Sequence, residues 1–287
     1  MNPQVILITG CSSGFGFLTA VRLASRGYQV IATMRNLDKK FELENEIAKR
    51  KTSIDILQLD VTNVDSIENA INTVSSKYGH LDVLINNAGF GIGGFFEDLT
   101  QDEIRTQMET NFFGVQNVTR EVIPVMRNQR SGKIINISSV AGFSTSPCFS
   151  AYNASKWALE AFSESLHYEL KLFGIDVLLI EPGTYNTKIF GENARYAKNF
   201  DNPQSPYYAY SQALKEKVLK FVDASRKDPQ TVAALVEKLI KAEHPPFRNI
   251  PDIESKCLFL LRKFLPFKLY SQLIHTILFQ GLKNSKS

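Results

Sequence analysis

Long apolar runs are missing from this chain. No uncharged apolar stretch reaches the ~18 residues that a membrane-crossing helix needs. Cysteine is scarce as well: Cys11, Cys148 and Cys257 are odd in number and lack metal-ligand spacing, which excludes a disulfide framework and points to a reducing compartment. His80, His167, His244 and His275 are widely scattered, so no metal site is expected. Met1-Asn-Pro-Gln4 runs straight into a strand-like segment with neither a basic nor a long apolar leader region, which argues against a secretory signal. These absences predict a cytoplasmic protein. Charge of one sign is also missing from the main body. The excess of 33 bases over 29 acids is confined to residues 255–287, which hold Lys256, Arg262, Lys263, Lys268, Lys283 and Lys286 and no acid. Nucleic acid is therefore not an expected partner.

What is present suits one large α/β domain or two small ones, since 287 residues at 44% hydrophobic and 22% charged can bury a sizeable core. Val5–Ile8 is a short buried-strand run that turns through Thr9-Gly-Cys-Ser-Ser-Gly-Phe-Gly16 into a helix reaching about Gly27. Gly10, Gly14 and Gly16 allow a tight turn, a close backbone approach to a pyrophosphate, and close helix-on-strand packing. The helix N-terminus then faces the phosphates. The second strand, Tyr28–Met34, ends at Arg35 with no acid before Asp38. An acid there would hold a ribose 2′-hydroxyl, whereas an arginine accommodates a 2′-phosphate. Arg35 reads equally as a solvated loop charge.

Strand and helix patterns alternate onward: strands at 54–59, 82–86, 133–139 and 175–180, and helices from about Leu37 to Lys51, to Tyr78, and from about Thr100 to Asn128. Thr100-Gln-Asp-Glu103 has capping-box form. Ser139 closes the strand Lys133–Ser139, and a long helix follows from Tyr152 to Phe173. Tyr152 and Lys156, four residues apart, share one face of it. A phenol with a pKa near ~10 is a poor acid or base at neutral pH; an adjacent ammonium draws it towards the working range. Ser139 can hold a carbonyl or hydroxyl oxygen beside them. Taken alone, such a pair is as readily an accident of helix composition.

The order of Gly10-x-x-x-Gly14-x-Gly16, Asn86-Asn-Ala-Gly89, Ser139, Tyr152 and Lys156 resembles the short-chain dehydrogenase/reductase family over about residues 4–190. Ile8–Gly16 and Ala32-Thr-Met-Arg35 are most similar to its 17β-hydroxysteroid and retinol dehydrogenase branch. The resemblance implies a Rossmann-type, doubly wound parallel sheet in a single α/β domain. Residues 1–190 would form the cofactor-binding and catalytic core, and 191–287 a helical substrate lid. It also implies a hydride transfer between NADP, with NAD as the other option, and a hydrophobic alcohol or its ketone or aldehyde. Catalysis would fall to Asn111, Ser139, Tyr152 and Lys156. Cofactor binding would fall to Gly10, Ser12, Ser13, Gly14, Phe15 and Gly16, to Arg35, Asp60 and Val61, to Asn87, Ala88 and Gly89, again to Tyr152 and Lys156, and to Pro182, Gly183 and Thr187. By the same resemblance Asn111 opens its helix locally and holds a water in a proton relay, and the helices near 103–128 and 152–173 pair in a homodimer. Asp60 could equally be a helix-start residue, and Asn111 a plain buried asparagine.

Further points stay open in the sequence. A non-catalytic NADP-binding sensor would share this fold, although none of Ser139, Tyr152 and Lys156 is lost. The final strand that the resemblance implies falls near 246–250, where flanking prolines and poor alternation weigh against it. The aromatic residues between Tyr185 and Tyr210, including Phe190, suit a lid over an apolar substrate. In 255–287, Leu258, Leu261, Leu265, Leu269, Leu273 and Ile277 recur at helical spacing among basic residues. That pattern fits a helix folded over the substrate pocket, and also peripheral contact with an anionic membrane; Pro266, which should break it in two, favours the first.

Overall fold

A computed structural model describes residues 3–187 and 194–279. Phe190, Lys283 and Lys286 lie outside the described residues. In chain order the strands are β1 (Val5–Ile8), β2 (Gln29–Met34), β3 (Asp55–Gln58), β4 (Val83–Asn86), β5 (Ile92–Gly93), β6 (Gly132–Ile137), β7 (Ile175–Ile180), β8 (Arg195–Tyr196) and β9 (Arg248–Asn249). The helices are α1 (Gly14–Ala24), α2 (Phe41–Lys49), α3 (Val64–Tyr78), α4 (Gln101–Met108), α5 (Gly114–Gln129), α6 (Ser150–Lys171), α7 (Tyr208–Ala224), α8 (Gln230–Lys241), α9 (Ile253–Phe264) and α10 (Phe267–Phe279).

Seven strands form one parallel sheet in the order β3-β2-β1-β4-β6-β7-β9. Its central strands are mostly apolar because both faces are covered. Ile6, Ile8, Val30, Ile135 and Ile180 pack under α1 and α8 on one face. Leu7, Leu84, Ile134 and Val177 pack against α3, α5 and α6 on the other. Each fully buried side chain of this size contributes roughly 1.5–3 kcal/mol. Since α8 supplies Val232, Val236, Leu239 and Ile240 to the first layer, part of 191–287 belongs to the central core.

Local signals fix the element ends. Asn63 accepts from the Ser66 amide to start α3, which ends at Gly79 with φ of 72°. Thr100 and Glu103 form the reciprocal capping box of α4. The edge strand β9 exists, but only as two residues, pairing Leu179 with Arg248 and Ile180 with Asn249. The prolines flank it without entering the ladder. The helix expected from Leu37 is split into a 3-10 turn, Leu37–Lys39, and α2.

The remaining segments build a third apolar cluster beside the start of α6. Phe200, Ala197 and Leu214 pack on Ile92, Leu99, Cys148 and Ala151, with Leu278 and Phe279 of α10 against them. Three of the aromatics expected of a lid pack in this cap: Tyr196 meets Phe200 at 4.5 Å and Tyr207 stacks on Phe95 at 4.6 Å. Tyr185 instead sits in the central core, edge-on to Phe15 at 5.5 Å. Pro266 separates α9 from α10, as the sequence predicts.

Candidate active site

Parallel pairing of Ile8 with Ile85, Asn86 with Asn136 and Ile137 with Ile180 brings the carboxyl ends of β1, β4, β6 and β7 side by side. Buried asparagines tie this edge together. Asn86 donates to Thr119 at 3.0 Å and to Asn136 at 2.8 Å, and Asn136 donates to Ser163 on α6 at 2.8 Å. In an apolar interior each such bond left unmade would cost about 1–3 kcal/mol, so the ladder fixes the strand register.

The turn after β1 forms a cradle. Gly10 has φ of +74°, and a Cβ there would come within 2.8 Å of the Ala88 backbone. Thr9 Oγ1 accepts from the amides of Asn87 and Ala88, each at 3.0 Å, and Asn87 Nδ2 donates back to the carbonyls of Thr9 and Gly10. A Cβ on Gly16 would lie 2.4 Å from Asn87 Nδ2. Gly14 differs: at φ of +61° a Cβ would meet nothing within 4 Å, so it stands over open space at the N-terminus of α1. Ser13 caps that helix without a side-chain cap bond, and its first turn holds no acid. Open room and a positive helix end fit a pyrophosphate. Ser12, Ser13 and Phe15 lie on the same turn, half-buried.

Arg35 is exposed at the end of β2, whereas Met34 before it is fully buried. Asp60 Oδ1 accepts from the Thr62 amide and hydroxyl at 3.0 and 2.8 Å, which commits that oxygen to the start of α3. Val61 is buried against Gly114. Asn111 lies in a π-helical turn, Glu109–Phe113, so α4 and α5 form one helix that opens locally around it. Its amide clasps Phe90, accepting from the Phe90 N–H at 3.1 Å and donating to the Phe90 carbonyl at 2.9 Å, and donates to Ser155 at 3.1 Å. Gln107 makes a second clasp on Phe90 and Ile92.

Ser139 caps the 3-10 turn Val140–Gly142, its hydroxyl accepting from the Ala141 amide at 3.1 Å. The Tyr152 hydroxyl lies near enough to Ser139 for that side chain to draw its pKa down. Lys156 is buried one helical turn on, donating to the Ile137 carbonyl at 2.8 Å, with Nζ 5.9 Å from the Tyr152 ring centre. The electrostatics differ from the expected lowering of the phenol. Burial pushes the Tyr152 hydroxyl above its ordinary range, with Ser139 pulling the other way. Burial also pushes Lys156 down to about 8, opposed by the charge of Glu160. Removing both groups from water outweighs their mutual influence because Nζ faces a carbonyl rather than the phenol oxygen.

Pro182 accepts from the Val140 amide at 3.0 Å, which locks the turn after β7 to the Ser139 turn. Gly183 N–H donates to Asp252 at 3.3 Å, and a Cβ there would strike Ser255. Asp252 also holds Lys227 at 2.8 Å. Thr187 is half-buried and is the last described residue before 188. Gln107, Asp252, Glu160, Glu181 and Arg248 were not foreseen from sequence. Asp252-Ile-Glu-Ser255 has the form of a helix start, which marks Asp252 as a cap but not as a partner of Gly183. Among the described residues no cluster of metal-ligating side chains occurs, and no helix is long and apolar enough to cross a membrane.

A wound parallel sheet with a glycine cradle after its first strand is a dinucleotide-binding architecture. The short chain dehydrogenase family profile matches residues 4–197. The chain belongs to the short-chain dehydrogenase/reductase family, oxidoreductases that act on CH–OH groups. Among its relatives, a 3-ketodihydrosphingosine reductase of Bacteroides thetaiotaomicron is 41% identical over 87% of this chain and 88% of that protein. The retinol dehydrogenase 8 of Bos taurus is 34% identical over 97% and 91%. A solved short-chain dehydrogenase from Streptomyces avermitilis superposes with a TM-score of 0.79 at 32% identity, covering 99% of both chains. An actinorhodin polyketide ketoreductase solved with NADPH gives 0.74 at 27%, covering 86% of this chain and 95% of the other. These neighbours support a nicotinamide cofactor.

Proposed function

We propose that the protein interconverts a hydrophobic alcohol and its ketone or aldehyde with NADP, through Ser139, Tyr152 and Lys156. The observation that carries this reading is the grouping of Tyr152, the neighbouring Ser139 and buried Lys156 at the sheet edge that also holds the Gly14 cradle. When bound, the nicotinamide supplies or accepts a hydride. Ser139 holds the substrate oxygen, and Tyr152 gives it a proton in reduction or takes one in oxidation. Lys156, tied to Ile137, keeps a positive charge near the phenol and orients the cofactor ribose. Asn111 positions the Phe90 segment and, through Ser155, the first turn of α6; Ser155 itself bonds the Tyr152 carbonyl at 2.7 Å. Gly10, Ser12, Ser13, Gly14, Phe15 and Gly16 receive the pyrophosphate side, Arg35 the 2′-phosphate, Asp60 and Val61 the adenine, and Asn87 to Gly89 the ribose. Pro182, Gly183 and Thr187 border the nicotinamide.

A hydrophobic substrate is supported by the apolar cluster of Ile92, Phe149, Tyr196 and Phe200 next to Tyr152, and by Gly91, where a Cβ would lie 3.5 Å from the Tyr152 ring. Segments 194–224 and 253–279 act as its lid. Docking of α10 on the protein is supported by Tyr270, 4% exposed and bonded to Ser144, and by Lys217 donating to the Ile277 and Leu278 carbonyls. Phe264, Phe267 and Leu269 remain exposed beside Arg262, Lys263 and Lys268 and could rest on an anionic lipid surface. Exposed Trp157 and Tyr168 on α6, with Phe113 just before α5 and Leu172 just after α6, support a homodimer; light scattering that finds only monomer at micromolar concentration contradicts it. The test of the function is a turnover screen of steroid, retinoid and aliphatic ketones with NADPH and NADH. Turnover of lipid-like ketones with NADPH is expected, and none with any of them contradicts the reading.

A further inference from the structure

Behind Lys156, at the carboxyl ends of β6, β7 and β9, lies a second charged cluster that the proposed reaction leaves unused. Glu160 follows Lys156 by one turn of α6 and is 6% exposed; Glu181, directly after β7, is fully buried. One guanidinium nitrogen, Arg248 Nη1, donates to both carboxyls: to Glu160 Oε2 at 2.8 Å and to Glu181 Oε1. The other oxygens, Glu160 Oε1 and Glu181 Oε2, have no hydrogen-bond partner, and Ser138 Oγ stands beside Glu160 without well-formed geometry. Both carboxyls are shielded from water, whereas the Arg248 side chain is partly exposed. A Cβ on Gly142 would lie 2.7 Å from Glu160 Oε1, so the turn that carries Ser139 sits directly on this carboxyl, and the Phe259 ring covers the guanidinium at 5.4 Å.

We propose that Glu160 and Glu181 share a single proton on Arg248 and position Lys156 as an ammonium, Glu160 supplying the counter-charge one helical turn away. The inference rests on the role of Lys156 in the function proposed above. Two carboxylates this close, buried and served by one guanidinium nitrogen, cannot both ionise freely, and a shared proton gives the two orphaned oxygens a partner. Burial pushes both carboxyls upward; for Glu181 the charge of Glu160 adds to it, from 4.5 to about 8, against the pull of Arg248. The groups that face the pair are Lys156 from α6, Ser138 from the end of β6 and Arg248 from β9, while α9 contributes only the Phe259 ring. With all four charged groups ionised the cluster is neutral overall. As pH rises and the pair releases its proton, the negative charge it gains opposes loss of the proton on Lys156.

Two isosteric variants test this. In Glu160→Gln the counter-charge is gone, and the alkaline limb of kcat/KM should move to lower pH by about one unit. Turnover at pH 8.5 should then fall several-fold more than at pH 6.5. In Glu181→Gln, Glu160 has Arg248 to itself and ionises fully, so the limb should stay in place or move to higher pH. Equal shifts in the two variants, or none in either, overturn the proposal, because side chains that merely fill space would behave alike. A melting series needs no turnover and covers a variant that folds poorly. The raised Glu181 carboxyl holds its proton in the folded state, so wild type should lose melting temperature relative to Glu181→Gln as pH climbs from about 4.5 to about 8. Parallel curves there overturn the shared proton. Diverging curves with no change in the kinetic limbs leave the pair standing and remove its link to Lys156, and with it the proposal.

Discussion

Lys156 donates to the Ile137 carbonyl oxygen at 2.8 Å, while its Nζ stands 5.9 Å from the centre of the Tyr152 ring. The lysine is thus anchored to the end of β6, and in the proposed reaction its charge, not a direct bond, reaches the phenol. Burial has already drawn its pKa from 10.5 to about 8. Turnover should therefore fall as pH rises through about 8, because the ammonium is lost there. The contribution to stability runs the other way. The folded protein binds fewer protons than the unfolded chain between about 8 and 10.5, so this group adds stability as pH rises through that window. A pH profile of kcat/KM that stays flat to pH 9.5 contradicts the assignment.

Two of the cradle glycines should separate by phenotype. Gly16→Ala forces a methyl to 2.4 Å from Asn87 Nδ2 and 2.5 Å from the Gly10 carbonyl, and should destabilise the fold by about 1–3 kcal/mol. Gly14→Ala meets no neighbour, so only its positive φ resists it, at about 1–2 kcal/mol. Its methyl enters the space proposed for the pyrophosphate. Melting curves should show the larger loss for Gly16→Ala. Fluorescence titration should show at least a tenfold loss of NADPH affinity for Gly14→Ala in protein that remains folded.

Arg35 is exposed at the end of β2, so Arg35→Ala should cost little stability. A charge-assisted bond to a 2′-phosphate contributes roughly 1.5–3 kcal/mol, or about 10- to 150-fold in NADPH affinity, with NADH affinity unchanged. An acid placed at position 34 is no alternative, since Met34 is 1% exposed and a carboxylate there would be buried. Parallel titration with both cofactors decides it, and wild type preferring NADH would contradict the role given to Arg35.

Much of this architecture is written in consecutive residues. The strand Val5–Ile8, the glycine turn and the Thr100–Glu103 capping box each depend on neighbours within about ten positions, and they are legible for that reason. The π-helical turn at Asn111 was legible only through family resemblance. What escaped the sequence is long-range. Glu160 meets Arg248 across 88 residues, and Gly183 meets Asp252 across 69. β9 is too short to alternate, and its partner strand, not its own composition, makes it a strand. The direction of the Tyr152 pKa was misread because side-chain spacing carries the lysine charge but not the degree of burial.

At the end of the described chain, the Tyr270–Ser144 and Lys217 contacts anchor α10, so removing residues 267–287 should lower both melting temperature and turnover. Co-sedimentation with anionic vesicles, run on full-length and shortened protein, reads the exposed apolar face of α9 and α10. Salt-sensitive vesicle binding lost on truncation, with turnover of a water-soluble ketone unchanged, would contradict the docked lid.

The most direct measurement is turnover of Tyr152→Phe. The substitution removes one hydroxyl beside Ser139, costs at most about 1 kcal/mol in stability, and leaves the glycine cradle untouched. Removing the proton donor should lower kcat by at least about 10²- to 10⁴-fold, while melting temperature and NADPH affinity stay close to wild type. A folded Tyr152→Phe protein that binds NADPH and retains a substantial share of wild-type kcat would contradict the account.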